Sequence, residues 1–489
     1  MELRVRTNNL RSFLIMIVAS FLGAVFTYGN YIYRSTLNID GEFTNNFYQT
    51  VSLGRWFHAF LRNYFLPEPF LPVLTPLISV ILICIAAMVF CKIFRLSPFH
   101  SAFALLLFIT SPQLAYQLEF LNQSDTFSLG VLMCTISALI LVSRSGYLGF
   151  IAASILIALS LGIYQTLISY LAVVIVAYYT IMLARDEINL RDLIKGIAKG
   201  ASSALISLIL YAVISLIVKK HFNVNADGYL SSYMSFSDGG FHYFLTVVNG
   251  FLRAIVGLQF YGGTTLVILL IATLYCVFLY AKSKDGKYIT IALLSLIVIF
   301  ITFSFIVISG SSSPPRLFVA CGAAMSFSYI LVLTYKEKNN TLSAIAALVI
   351  CTNIFFVNKL FSYDVEVREN DVLMAKEIKQ RIGEIGKACD GAKIYIHGGY
   401  DKNNTMNLRS DTFGKSFFWW DGGNYLRAVA FLNHYKICNA EPANEQEVKS
   451  LLSDIMVKPN WPRDGSVYSE NGVIVIKLSD EKGWLPFLP

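Results

Sequence analysis

Two carboxylates, a cluster of amides and an arginine crowd into one short stretch of this chain. Asp40, Glu42, Asn45, Asn46, Gln49 and Arg55 all fall within NIDGEFTNNFYQTVSLGRW, residues 38–56. A long apolar segment, 12–33, ends just before it, and another, 73–91, begins soon after. Acids held just outside a membrane span stand where a lipid headgroup and a water-soluble substrate can meet. There a carboxylate can take a proton from an attacking hydroxyl. An ordinary solvated loop carries such residues too, so the surrounding elements must decide.

Three further turns place polar residues beside apolar segments. LAYQLEFLNQSDTFSLG carries Glu119, Asn122, Gln123 and Asp125, and Asp125 is also suited to capping the helix that follows. SLGIYQTLISY puts Tyr164 and Gln165 in a turn of almost no length, where a polar pair can satisfy helix ends between packed spans. SGSSSPPRLF holds Arg316 immediately ahead of an apolar run. That arginine could snorkel to bulk headgroups or hold the phosphate of a bound lipid.

The elements that must position these residues are mostly membrane helices. Charged residues make up 14% of the chain, against about 25% in soluble domains, and mean hydropathy is +0.58. Apolar runs at 12–33, 73–91, 99–117, 126–142, 147–163, 166–184, 200–218, 262–281, 288–308, 317–335 and 341–357 are each long enough to cross the ~30 Å hydrocarbon core as helices. The first run has a basic lead-in (Arg4, Arg6, Arg11) but is longer than a signal-peptide core and lacks a clean cleavage site. It reads as an uncleaved span.

Eleven spans with a cytoplasmic N-terminus leave fifteen Lys/Arg in inner loops and seven in outer ones, the asymmetry expected of topogenic charge. The formal charge of +8 lies wholly in this part, because residues 359–489 carry 17 Lys/Arg and 18 Asp/Glu. Attraction to inner-leaflet lipid accounts for that excess without nucleic acid.

Within the first outer loop, 34–72, an amphipathic helix is expected, capped by Thr44 or Asn45 and ended by Pro67, Pro69 and Pro72. Residues 241–259 place His242, Thr246, Asn249 and Arg253 on one helical face, which suits a helix lying in the interface. Past 358 the pattern changes to alternating helices and strands: a helix over 367–385, a strand at AKIYIHGG, helices at YLRAVAFLNHYKI and EQEVKSLLSDIM, and a closing strand at GVIVIKLSD. A small α/β domain over 359–489 follows, which eleven spans place outside the cytoplasmic membrane. Its two cysteines, Cys389 and Cys438, are expected to pair in that oxidising compartment. No Cys or His spacing points to a metal.

With these pieces placed, the chain resembles the Gtr-type O-antigen glucosyltransferases, serotype-converting members of the GT-C superfamily. Four places carry the likeness: Asp40 through Gly54 and Arg55; Ser111-Pro112 through Asp125; Gly162 to Gln165; and Trp461, Pro462, Gly465 and Gly472–Leu478. The family often has adjacent acids in its first loop, whereas Gly41 separates Asp40 from Glu42 here, so the resemblance leaves open which of the two is the base.

The resemblance implies a GT-C-like membrane body and transfer of a sugar, usually glucose, from a polyprenyl phosphate onto O-antigen lipopolysaccharide in the periplasm. The chain would then be a multi-pass protein of the bacterial inner membrane, its tail domain periplasmic. Asp40 is the first choice for base, with Glu42 and Asp125 as orienting or alternative acids. Arg55 and Arg316, with Tyr164 and Gln165, are the candidates for the donor phosphate. No cofactor is expected, and a divalent metal is permitted but not required. A transporter of lipid-linked sugar is the rival class, though it would place ionisable groups near the bilayer midplane, where these runs have almost none. A transferase acting on another cell-envelope acceptor is the third reading.

Overall fold

The computed structural model describes residues 2–43, 46–66, 71–143, 146–225, 240–309, 313–335, 340–400, 408–483 and 485, with backbone alone at 2–12, 264, 265 and 269. Thr44, Asn45, Pro67 and Pro69, and the side chains of Arg4, Arg6 and Arg11, lie outside what is described. The chain is mostly helical and divides into two units. The first holds residues 1–35, 45–359 and 409–411; the second holds 36–44, 360–408 and 412–489.

Each of the eleven apolar runs is helical, but they are not eleven equal spans. Among the described residues six helices are long and apolar enough to cross a membrane: Phe13–Tyr33, Leu74–Ile93, Leu121–Val142, Leu167–Ala184, Leu190–His221 and Asn340–Glu384. A seventh arises if Pro98–Ile109 and Pro112–Leu118, bent by 46°, form one span. The break falls at Ser111-Pro112, where the proline cannot continue the hydrogen-bond ladder of the helix before it. Tyr147–Ile163, Leu270–Ser283, Gly286–Thr302 and Cys321–Tyr335 are apolar but 10–17 residues long, at or below the lower end of the ~17–25 residues over which a helix spans. The expected count of eleven is therefore not established by these helices. Gly240–Val256, over the polar-striped segment, is helical as the spacing predicts.

Two boundaries differ from the sequence reading. The single amphipathic helix expected in the first loop is two, Phe47–Ser52 and Trp56–Tyr64, broken at Gly54. Gly54 has φ +77°, and a Cβ there would come within 2.5 Å of the Tyr211 hydroxyl, so both backbone and neighbour require glycine. The last apolar run and the first tail helix, expected as separate elements, are one 45-residue helix, Asn340–Glu384. Its sequence contains no proline, and its one glycine is the penultimate residue, so nothing interrupts the ladder where composition changes from apolar to charged.

The second unit is built on four strands in the order β2-β1-β4-β3: β1 Lys393–His397, β2 Glu441–Pro442, β3 Val467–Glu470 and β4 Val473–Lys477. β1 pairs parallel with β2 and β4, and β3 pairs antiparallel with β4. β4 is buried along its length, as its unbroken VIVI run requires of a central strand. Asn471 and Gly472 both have positive φ and make the two-residue turn from β3 to β4. Helix Tyr425–His434 packs on β1 and β2, and the buried residues of Glu445–Ile455, a helix started by a reciprocal Asn444–Glu447 capping box, join the same core.

Cys389 and Cys438 are bonded in the core of this unit, their Cα atoms 5.6 Å apart. Peptide mapping without reductant is expected to recover one linked Cys389–Cys438 peptide, and replacing both by serine to cost about 4 kcal/mol in the chain-entropy picture. Two free thiols in protein from intact cells would contradict both the pairing and the oxidising side expected from the sequence.

Candidate functional site

The two acids of the first loop belong to the second unit, although they follow the first apolar helix in sequence. Three contacts fix the loop there. The Thr36 hydroxyl donates to Asp364. The Leu37 backbone hydrogen-bonds the Tyr435 side chain, and the Leu37 side chain packs on the core. The third contact is Arg427, in helix Tyr425–His434, whose Nη2 donates to Asp40 Oδ1 at 3.0 Å and whose Nη1 donates to Glu42 Oε1. Its Nε donates to Asp421 Oδ2 at 3.1 Å.

Loop geometry separates the two carboxylates. Asp40 sits at φ +70°, and the Gly41 amide closes a turn onto the Asn38 carbonyl at 3.0 Å. Gly41 is hemmed by that carbonyl and the Leu37 side chain, which leaves little room for a Cβ. The outcome is an Asp40 side chain 37% exposed beside a Glu42 side chain with none of its surface in solvent. Burial pushes the Glu42 carboxyl up to about 7, against the opposing pull of the Arg427 charge. Its Oε2 has no hydrogen-bond partner among the described residues.

In the first unit, three arginines meet the short segment Phe120–Asp125 at the start of helix Leu121–Val142. Arg62 grips Asp125 with both terminal nitrogens, one at 3.3 Å to Oδ2, while its Nε donates to the Asn122 carbonyl at 2.8 Å. Arg316 lies over the Phe120 ring, 4.9 Å from its centroid, and pairs with Asp411 at 2.6 Å. Arg55 donates to Gln123 Oε1 at 2.9 Å and stacks 4.8 Å above the Tyr164 ring.

Gln165 joins the Arg55 group, donating to the Leu53 carbonyl at 2.8 Å and to the Tyr211 hydroxyl at 3.0 Å. Arg55, Tyr164 and Gln165 are thus brought together. Asp125 does not cap its helix, because the helix begins four residues earlier, at Leu121. Its charge is taken up by Arg62 instead.

Arg55 differs from the other two cations. Among the described residues it meets an amide and a ring but no carboxylate, and its buried Nε has no hydrogen-bond partner. A guanidinium held by neutral groups with a donor unused can take an anion. Between Arg55 and Arg62 on one helical face lies His58, whose Nδ1 is 2.8 Å from the Thr126 hydroxyl. Burial and the two arginines hold its imidazole well below the usual range, so it stays neutral.

Arg62 and His58 were not among the sequence candidates, yet the 55–58–62 spacing places them on Arg55's face and could have found them. Arg427 and Asp421 carried no such local signal. An apolar groove at Leu14, Ile15, Val18, Ala19, Leu22 and Leu106 contains none of these polar groups. Among the described residues no three His, Cys, Asp or Glu side chains are arranged to hold a metal ion, and Asp40, Glu42 and Asp421 converge on a guanidinium.

Apolar helices with ion pairs gathered at their ends, joined to a small α/β unit, define a polytopic membrane protein. The family model described as glucosyl transferase GtrII matches residues 29–333, more than half of the chain, and the protein belongs to that family. The matched region contains Asp40, Glu42, Arg55, Arg62, Asp125, Tyr164, Gln165 and Arg316. Comparison with curated proteins and with solved structures gives no match.

Proposed function

We propose that this protein transfers a glucosyl group from a polyprenyl-phosphate donor to an O-antigen acceptor on the periplasmic side of the bacterial inner membrane. Membership of a glucosyl transferase family supports the transferred group. The observation that carries the phosphate-linked donor is Arg55, a cation beside apolar helices with no carboxylate partner among the described residues and an unused donor, as an anionic lipid headgroup requires.

In this reading the acceptor hydroxyl attacks the anomeric carbon while Asp40 takes its proton. The new C–O bond forms as the bond from anomeric carbon to phosphate oxygen breaks, and the phosphate departs with that electron pair. Attack opposite the leaving group inverts the anomeric centre. Arg55 stabilises the departing phosphate, with Tyr164, Gln123 and Gln165 fixing the guanidinium. Arg316 acts on the same charge, its pairing with Asp411 setting its direction. Glu42 and Asp125 are supporting acids, each already held by an arginine.

Expression in a strain making unglucosylated O-antigen, together with the enzyme that makes the lipid-linked glucose, tests the reading. Mass analysis of the released polysaccharide should show one added hexose per modified repeat. O-antigen left unchanged, with lipid-linked glucose accumulating, would contradict it.

A further inference from the structure

Glu42 and Asp40 lie two residues apart, yet one is buried and the other open, and a single side chain from far along the chain touches both. All three nitrogens of the Arg427 guanidinium are engaged, each by a different carboxylate: Nη2 by Asp40, Nη1 by Glu42 and Nε by Asp421. The guanidinium also lies over the Phe43 ring, 5.6 Å from its centroid, so the residue after Glu42 packs on the same group.

Arg427 is itself fixed from its own helix. Asn424 caps Tyr425–His434 by accepting from the Leu426 amide at 3.1 Å, and its side chain donates to Asp421 Oδ2 at 3.3 Å. The cap, the turn acid and the arginine therefore form one rigid bracket. Both bracket and loop acids lie within the second unit.

We propose that Arg427 is a positioning residue that divides the work of the two loop carboxylates, clamping Glu42 in the interior and presenting Asp40 on Nη2 with its open side toward the acceptor. This rests on the transfer reading above and adds a residue outside the matched family region. A fork with three separate donors can hold three acids at fixed angles, which a lysine with one head cannot. The charged groups around Glu42 are Arg427 and Asp40, with Asp421 on the third edge of the same guanidinium. Removing the positive charge leaves three carboxylates together, so Glu42 must hold its proton to higher pH. Protonated Glu42 no longer pairs with Arg427, and the hold on Asp40 loosens with it. Transfer should accordingly fall on the acid side of the Glu42 titration.

The test uses the full-length protein in nanodiscs and reads two quantities. One is the pH profile of transfer. The other is the Glu42 carboxyl itself, followed by infrared pH titration with Glu42→Gln as the subtraction partner, which needs no activity. Arg427→Gln should move the Glu42 titration upward by about 1–3 pH units and, with no guanidinium left to link Glu42 to Asp40, lower kcat at every pH and remove the acid limb that follows Glu42, with donor binding retained. Arg427→Lys keeps the charge and should move the titration less, recovering part of kcat. Asp421→Asn removes a neighbouring negative charge and should move the titration and the acid limb downward together; its partly exposed side chain makes it a folding-safe second variant.

An Arg427→Gln protein in which neither quantity moves overturns the proposal. So does equal loss of kcat in the Lys and Gln variants with the titration unshifted, which is the signature of a merely structural role. If the wild type transfers nothing while the infrared titration shifts as expected, the transfer reading fails and the ionic bracket stands.

Discussion

Asp40→Asn is expected to lower glucose transfer by about 10²–10⁴-fold, the contribution of a positioned general base, while leaving donor binding and protein level near wild type. Asparagine keeps the shape of aspartate and can still accept from Arg427 Nη2, so the loop retains its path. What it loses is the capacity to take the acceptor proton. Asp40 is preferred over Glu42 because its side chain is partly open, whereas Glu42 is closed off by the core and by Arg427. Parallel kinetics and donor-binding measurements on the purified variant check this. Normal transfer by Asp40→Asn would pass the role of base to Glu42.

Arg62→Ala should cause a severe loss of stability. Arg62 and Asp125 are nearly buried, at 11% and 3% side-chain exposure, and form a two-pronged ion pair. Deleting one member of such a pair leaves an unpaired charge in the interior and typically costs about 3–5 kcal/mol. Replacing both, as Arg62→Met with Asp125→Leu, should recover most of that loss, because no charge is then left behind. Thermal unfolding in detergent measures the comparison. A further variant separates two roles for Asp125: an Asp125→Asn protein of normal stability and no transfer would make it a participant in the chemistry.

The helical membrane body was legible because long apolar runs have few alternatives, and each of the eleven coincides with a helix. Their number as spans was not, because a 15-residue helix such as Cys321–Tyr335 reads as a longer run when apolar loop residues adjoin it. The 45-residue helix was split at a change of composition that has no effect on the backbone. β3 was missed although Asn471-Gly472 is a strong two-residue turn signal. Arg55 with Tyr164 and Gln165 could be grouped from turns beside spans. The Arg427 bracket could not, since partners nearly the whole chain apart leave no local pattern, and only the fold sets them at hydrogen-bond distance.

The central claim is transfer from lipid-linked sugar to polysaccharide, and reconstitution measures it most directly. Full-length protein in liposomes, supplied with polyprenyl-phosphate [¹⁴C]glucose and unglucosylated lipopolysaccharide, should move label into the polysaccharide and release polyprenyl phosphate in equal amount. Label that stays on the lipid, or crosses the bilayer without reaching the polysaccharide, would contradict the account and point to a carrier of lipid-linked sugar instead.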